Sequence, residues 1–324
     1  LIFRFVYHQA GCKKPFTRLW ISSMETDAIR SGFEHLKDGR GYDTLYHSAL
    51  CRAKADWLIG INATRLFSCL YGKTLNVGRV QTPTLKMLTD RDAAISHFQK
   101  EKYYHVRLTL SGAEAASEKL SDRSEADKLK AACEVSKAVC ASLVKEKKTA
   151  APPKLFDLTT LQREANRIFG YTAKQTLDYA QSLYEKKLIT YPRTDSRYLT
   201  DDMHNTVIKI VHIASKFAPF SNCTDFKPDT FCLFNNEKVS DHHAIIPTAE
   251  IENISLAEIP NGESNILHLI MCKLLCAVNS PYEYETITAV LECGGVQFTA
   301  KGKIILFEGW KNIEQLFKRY IHSD

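Results

Sequence analysis

The sequence predicts a multidomain α+β fold. At 324 residues the chain exceeds what one ordinary hydrophobic core organises, so two or three modules are expected. Apolar residues at three- and four-residue spacing fill much of 26–100 and 157–190, as in helices. Alternating stretches at 103–110, 285–291 and 296–300 read as half-buried strands. The composition is 44% apolar and 25% charged. That excludes a largely disordered chain, a fibrous repeat and a disulfide-stapled miniprotein. No apolar run reaches the ~18 residues of a membrane span. The chain opens on Leu1 rather than Met, and its apolar start meets Arg4 at once. The expectation is a fragment or processed product without a signal peptide.

Taken in order, Leu1 to Gly11 reads as a helix remnant and Thr17 to Ser22 as a short strand. Thr26 and Asp27 can cap a helix through Ile29 and Phe33. Tyr46 to Leu70 carries Leu50, Trp57, Leu58, Ile61 and Leu66 at helical spacing; Gly72 and Gly78 break it, and Thr82 to Ile95 resumes helix. Ser124 to Val139 is helical in pattern, and the charged, proline-closed run Lys145 to Pro153 reads as a hinge. Asp157, Thr159 and Thr160 offer caps to a helix that Gly170 ends; Thr172 caps the next, and Leu188 to Thr190 reads as strand. Helix, short turn, helix, strand is the outline of a winged-helix module, which also occurs as a plain structural hairpin. Acidic loops fill 219–238, ahead of the compact run Ser240 to Thr248.

The net charge of +6 is unevenly spread. Residues 1–102 carry +7, 103–144 balance, 145–200 carry +5 and 201–324 carry −6. The first and third blocks suit a polyanion, although local excesses of this size also occur on ordinary solvated surfaces. The ten cysteines form no C-x-x-C pair. A zinc site or disulfide framework is not expected, Cys272 and Cys276 read as core packing, and a reducing cytoplasm is the natural compartment.

Four groups of residues offer chemistry. In the extended run YPRTDS, Tyr191 and Arg193 stand two apart and project to one side. A tyrosine is a weak nucleophile until a cation favours its phenolate, and an arginine grips phosphate through paired hydrogen bonds. The plain alternative is a strand-end tyrosine beside an Arg193–Asp195 surface pair. His242 and His243 are adjacent, so they face opposite sides; one can donate to a phosphate, or either can be structural. Arg52 and Asp56 share a helix face, as ligands or as a salt bridge. Gly78 to Thr84 places Arg79 and Gln81 at a helix N-terminus, where free N–H groups suit phosphate, with Pro83 in the first turn.

Three motifs in order, VGRVQTPTL, FDLTTLQREANRIFGYTAKQTLDYAQSLYEKKLITYPRTDS and DHHAIIPT, resemble type IA DNA topoisomerases, in wording the bacterial topoisomerase III branch, over about residues 1–315. The resemblance implies a toroidal core: a C-terminal remnant of the metal-binding Toprim domain at 1–25 and a helical base at 26–100. A β arch follows at 101–155, a winged-helix-like tyrosine domain at 156–255, and the arch returns at 256–324. It implies Tyr191 as the nucleophile that forms a 5′-phosphotyrosyl bond with single-stranded DNA, with Arg193 on the attacked phosphate. His242, not His243, assists. Arg52, Asp56, Arg79, Gln81, Thr194, Asp195 and Ser196 contact DNA. The bond conserves energy, so ATP is not needed.

The resemblance also implies Mg2+, whose acidic ligands lie upstream of the stretch matched here, so no metal ligand is expected within this chain. A monomer in the bacterial cytoplasm, at the nucleoid and away from membranes, completes the picture. The base's second half belongs after Asp324, so the expectation is weak single-strand binding without relaxation of supercoils. The competing classes are a non-catalytic single-stranded DNA-binding module and a relaxase-type nicking enzyme; the latter needs a His-hydrophobe-His metal site, whereas the two histidines here are adjacent.

Overall fold

The computed structural model describes residues 1–21, 26–221, 233–239, 242–255 and 258–322. Ser22, Cys223, Cys232, most of the acidic loop and the Ser240–Asp241 start of the histidine run lie outside the described residues. The chain divides into two compact units, Leu1–Trp20 with Gly32–Lys102, and Ile21–Ser31 with Tyr103–Asp324.

The smaller unit holds α1 (Ile2–Gln9), a two-strand ribbon of β1 (Thr17–Arg18) and β2 (Lys37–Asp38), α3 (Asp43–Tyr71) and α4 (Gln81–Ser96); α2 (Thr26–Glu34) straddles the division. Strand β1 is shorter than the expected Thr17 to Ser22. Arg4 ties α1 to the first residue of α3 through Asp43 at 2.5 Å, and stands over the rings of Phe16 and Tyr46. None of the residues of α3 or α4 is buried.

The larger unit combines a five-stranded antiparallel sheet with a helical core. The strands are β3 (Arg107–Leu110), β4 (Ala113–Ala116), β5 (Val139–Ala150), β6 (Tyr282–Cys293) and β7 (Val296–Phe307), in the order β3-β4-β7-β6-β5. The sheet therefore joins strands from before and after the tyrosine region. Helix α5 (Arg123–Glu134) covers one end, packing its Ala126 and Leu129 with Val106, Ala115, Leu291 and Phe298. The main core gathers α6 (Leu158–Phe169), α7 (Ala173–Glu185), α8 (His204–Ala214), α9 (Asn261–Ala277) and α10 (Trp310–Ile321), around Leu161, Leu183, Ile246, Ile270, Leu274 and Phe317.

Five expectations are corrected. The hinge from Lys145 is strand as far as Ala150: Lys145 and Lys147 lie near Glu285 and Glu283 of β6, so the charges form cross-strand pairs. The helix expected to reach Val139 stops at Glu134, and Val139 opens β5. Leu188 to Thr190 forms no regular strand; only Ile189 bridges Pro247, which has no N–H to continue a ladder. The strand expected over 103–110 is regular only from Arg107, because the Ser117 hydroxyl takes the Val106 N–H at 3.0 Å. Helices α9 and α10, expected within the return of the arch, instead share the core of α6, α7 and α8. The reason is visible in α9, twelve of whose residues are buried, as in a helix apolar on all sides. Cys272 and Cys276 sit in that helix as buried neighbours, their sulfurs 4.0 Å apart.

Candidate nucleic-acid and tyrosine site

The tyrosine segment hangs from two capped helices. Asp157 accepts from the Thr160 N–H and Thr160 returns the bond, a capping box at the start of α6. Thr172 and Gln175 do the same for α7. Between them Gly170 adopts φ 72°, the left-handed geometry that lets the chain reverse after one residue. Helix α7 then delivers the chain into the extended run from Leu188.

That run is fixed by side chains that face inward. Thr190 Oγ1 donates to the Ala244 carbonyl and accepts from the Ile246 N–H, both at 3.1 Å. Thr194 Oγ1 donates to the His242 carbonyl at 2.7 Å and accepts from the Ser196 N–H at 3.1 Å. Ser196 Oγ donates to the Lys238 carbonyl at 2.8 Å. The Leu158 N–H donates to the Thr194 carbonyl, which anchors the run at the start of α6. Pro192, Thr194 and Ser196 are buried, while Tyr191 is half-buried and Arg193 and Asp195 are exposed. The two-residue period of an extended chain thus separates a buried, holding face from a more exposed one. Thr194 and Ser196 have their hydroxyls on backbone carbonyls and position the segment.

Tyr191 meets two rings. The His242 ring lies 4.4 Å from it at a tilt of 49°, and Tyr184 of α7 meets it edge-on at 5.4 Å. Burial, and after it the charge that Tyr191 would carry, push the Tyr184 phenol up. The adjacent histidines have opposite surroundings. His243 is buried, its Nδ1 is 2.8 Å from the Ala244 carbonyl, and burial holds its pKa below the usual value. His242 stays half-exposed at the tyrosine. The contact of Tyr184 with Tyr191 depends on the chain folding back at Lys187, where φ is 66°, which no local pattern in the sequence announces.

In the smaller unit, the loop after α3 runs back along that helix. Ser68 Oγ accepts from the Leu75 N–H and Thr64 Oγ1 from the Val77 N–H, at 2.9 and 3.0 Å. One more step along the same four-residue stripe passes Gly60, and the next reaches Asp56, which takes Arg79 Nε at 2.8 Å. Asp56 therefore pairs with Arg79, not with Arg52, which is exposed one turn earlier. Gln81 opens α4, which has no side-chain cap, and lines an open groove with Gly78, Val80, Thr84, Leu85 and Leu88. Of the residues singled out in the sequence, Arg52, Asp56, Arg79 and Gln81 belong to the smaller unit. Tyr191, Arg193, Thr194, Asp195, Ser196 and His242 belong to the larger.

Comparison with known proteins gives this geometry a context. Residues 40–321 match the family model described as DNA topoisomerase. DNA topoisomerase 3 of Bacillus licheniformis is 39% identical over 327 residues, covering 97% of this chain and 44% of that protein. DNA topoisomerase 3 of Staphylococcus aureus strain MRSA252 is also 39% identical, over 97% of this chain and 45% of its own length. Among solved structures, full-length topoisomerase I from Thermotoga maritima aligns with a TM-score of 0.77 at 23% identity, over 97% of this chain and 53% of that one, a likeness of fold. The chain spans less than half the length of the curated relatives it matches.

Proposed function

This chain belongs to the type IA DNA topoisomerase family, in its topoisomerase III-like branch, and from that premise we propose that it carries the strand-cleaving tyrosine of such an enzyme. Tyr191 Oη attacks a phosphodiester of single-stranded DNA, joins its 5′ phosphate and releases a 3′-hydroxyl, which later reverses the attack. Energy stays in the phosphotyrosyl bond, so ATP is not consumed. The single observation that carries this reading is the Tyr191 ring 4.4 Å from His242, with Arg193 exposed two residues on. Arg193 steadies the attacked phosphate, and His242 supplies a hydrogen bond beside it. In the smaller unit, Arg79, held by Asp56, together with Arg52 and Gln81 binds a DNA backbone; in the larger unit, exposed Asp195 stands beside Arg193 and Tyr191 on the cleavage segment.

The family implies magnesium. Among the described residues no group of three or more His, Cys, Asp or Glu gathers where a metal ion would be held. These residues do not fit that ion, and no step here runs through it. Among the described residues, also, no helix is long and apolar enough to cross a membrane. The proposed setting is the bacterial cytoplasm, acting on DNA as a monomer.

Tyr191→Phe in the complete polypeptide, incubated with a labelled single-stranded oligonucleotide and magnesium, is expected to abolish the covalent adduct on a denaturing gel. An undiminished adduct sinks the assignment. The 324-residue chain by itself is expected to leave supercoiled plasmid unrelaxed with magnesium; robust relaxation would refute that part. A non-catalytic binding module would instead show salt-sensitive DNA binding and no adduct from either form.

A further inference from the structure

Tyr198 has no part in the chemistry above. Its half-buried ring is approached by lysines from two distant segments: Lys154 Nζ lies 4.9 Å and Lys238 Nζ 5.0 Å from the ring centroid. Both lysines are exposed. Among the described residues neither ammonium has a carboxylate partner, whereas Lys147, Lys186 and Lys216 each do.

Hydrogen bonds that end on the backbone build this convergence. Arg197 Nε donates to the Leu155 carbonyl at 3.1 Å, fixing the segment before α6 against residues 196–198. Ser196 Oγ holds the Lys238 carbonyl and accepts from the Tyr198 N–H at 3.2 Å. The Asn235 N–H then donates to the Leu199 carbonyl at 2.9 Å. None of these bonds needs a lysine side chain. Gathering two ammonium groups costs Coulomb repulsion, which an anion between them would offset. Both lysines also act on the phenol: hydrogen bonding from Lys154 first, with its charge and then Lys238 adding to it, holds the Tyr198 hydroxyl below its ordinary range.

We infer that Lys154, Lys238 and Tyr198 form a clamp for a backbone phosphate of the DNA strand handled by the Tyr191 segment. The ammonium groups supply charge and the phenol O–H donates to a phosphate oxygen. The residues Thr194 and Ser196 hold the His242 and Lys238 carbonyls from one extended run, so the clamp and the tyrosine site share a support. The identity of the strand rests on the function proposed above.

The test is anisotropy of a fluorescein-labelled single-stranded oligonucleotide with the 324-residue chain, without metal, across a salt series. The Lys154→Gln/Lys238→Gln double variant is expected to bind about tenfold more weakly, with a salt slope smaller by about 1.4, two contacts at roughly 0.7 each. Tyr198→Phe should weaken binding less and leave the slope unchanged. A Lys209→Gln/Lys216→Gln control, with equal loss of charge on α8 and just beyond it, should match wild type. The clamp is overturned if the double variant binds like wild type, if the control loses as much, or if wild type binds no oligonucleotide. Displacement by inorganic phosphate at constant ionic strength would mark a free-phosphate site and overturn the assignment to a strand. No adduct is measured, so failure of the clamp leaves the Tyr191 reading standing. Absence of adducts in the Tyr191 experiment leaves clamp-dependent binding intact.

Discussion

His242 and His243 are joined by one peptide bond and separated by their environments. The first packs on the Tyr191 ring; the second is buried on its own backbone. His268 is also buried, its Nδ1 2.8 Å from the Ser264 carbonyl. Burial lowers the pKa of both His243 and His268 from the ordinary 6.5. A depressed folded-state pKa means the unfolded chain takes up protons first as pH falls. Stability from these groups is therefore complete above about pH 6.5 and is lost as pH drops below it, through the folded values. Melting curves should hold steady from about pH 8 to 7 and shift downward between about 6.5 and 5. The shift should shrink in a His243→Gln/His268→Gln variant; an equal shift there would exclude both histidines. The projection of Tyr191 with Arg193 was legible at this scale because a two-residue period needs only an extended backbone. The Asp56–Arg79 pair was not, because a local rule offered Arg52 four residues away and the true partner arrives with a loop that doubles back.

Elements were readable where the chain carries its own punctuation. Helices α6 and α7 emerged with their caps because Asp157, Gly170 and Thr172 act within a few residues. Strand β5 did not, since its Lys and Glu side chains are explained only by β6, far along the chain. One glycine shows the same dependence on distant neighbours. Gly309 has φ 48°, and a Cβ there would run into the carbonyl oxygens of Ser280 and Pro281. It launches α10, whose Phe317 is fully buried. Gly309→Ala should destabilise the larger unit by about 2–3 kcal/mol, combining an incompatible backbone with a backbone clash. Asp157→Ala, which removes only a cap, should cost about 1 kcal/mol. Urea unfolding monitored by tryptophan fluorescence measures both, and a larger loss at Asp157 would reverse the ranking argued here.

Across the whole molecule the two units differ in how they are held. The larger has a dense core. The smaller presents Trp57, Ile59, Leu70, Met87, Ile95 and Phe98 more than half exposed. With few buried contacts, its helices open at little cost. Hydrogen exchange should find the amides of α3 and α4 exchanging well before those of α9; equal protection would contradict this. The sheet order has a consequence for synthesis. Among the described residues strand β5 pairs with β6 alone, and Ala150 meets Tyr282 only after the entire stretch 151–281 has been made. During that interval a twelve-residue strand waits with an unsatisfied edge, the template on which chains aggregate. Closing so long a loop is slow, and β5 is exposed throughout. The Lys145-Glu146-Lys147-Lys148 run then acts as a gatekeeper: its charges repel a second nascent copy until the glutamates of β6 arrive to pair with them.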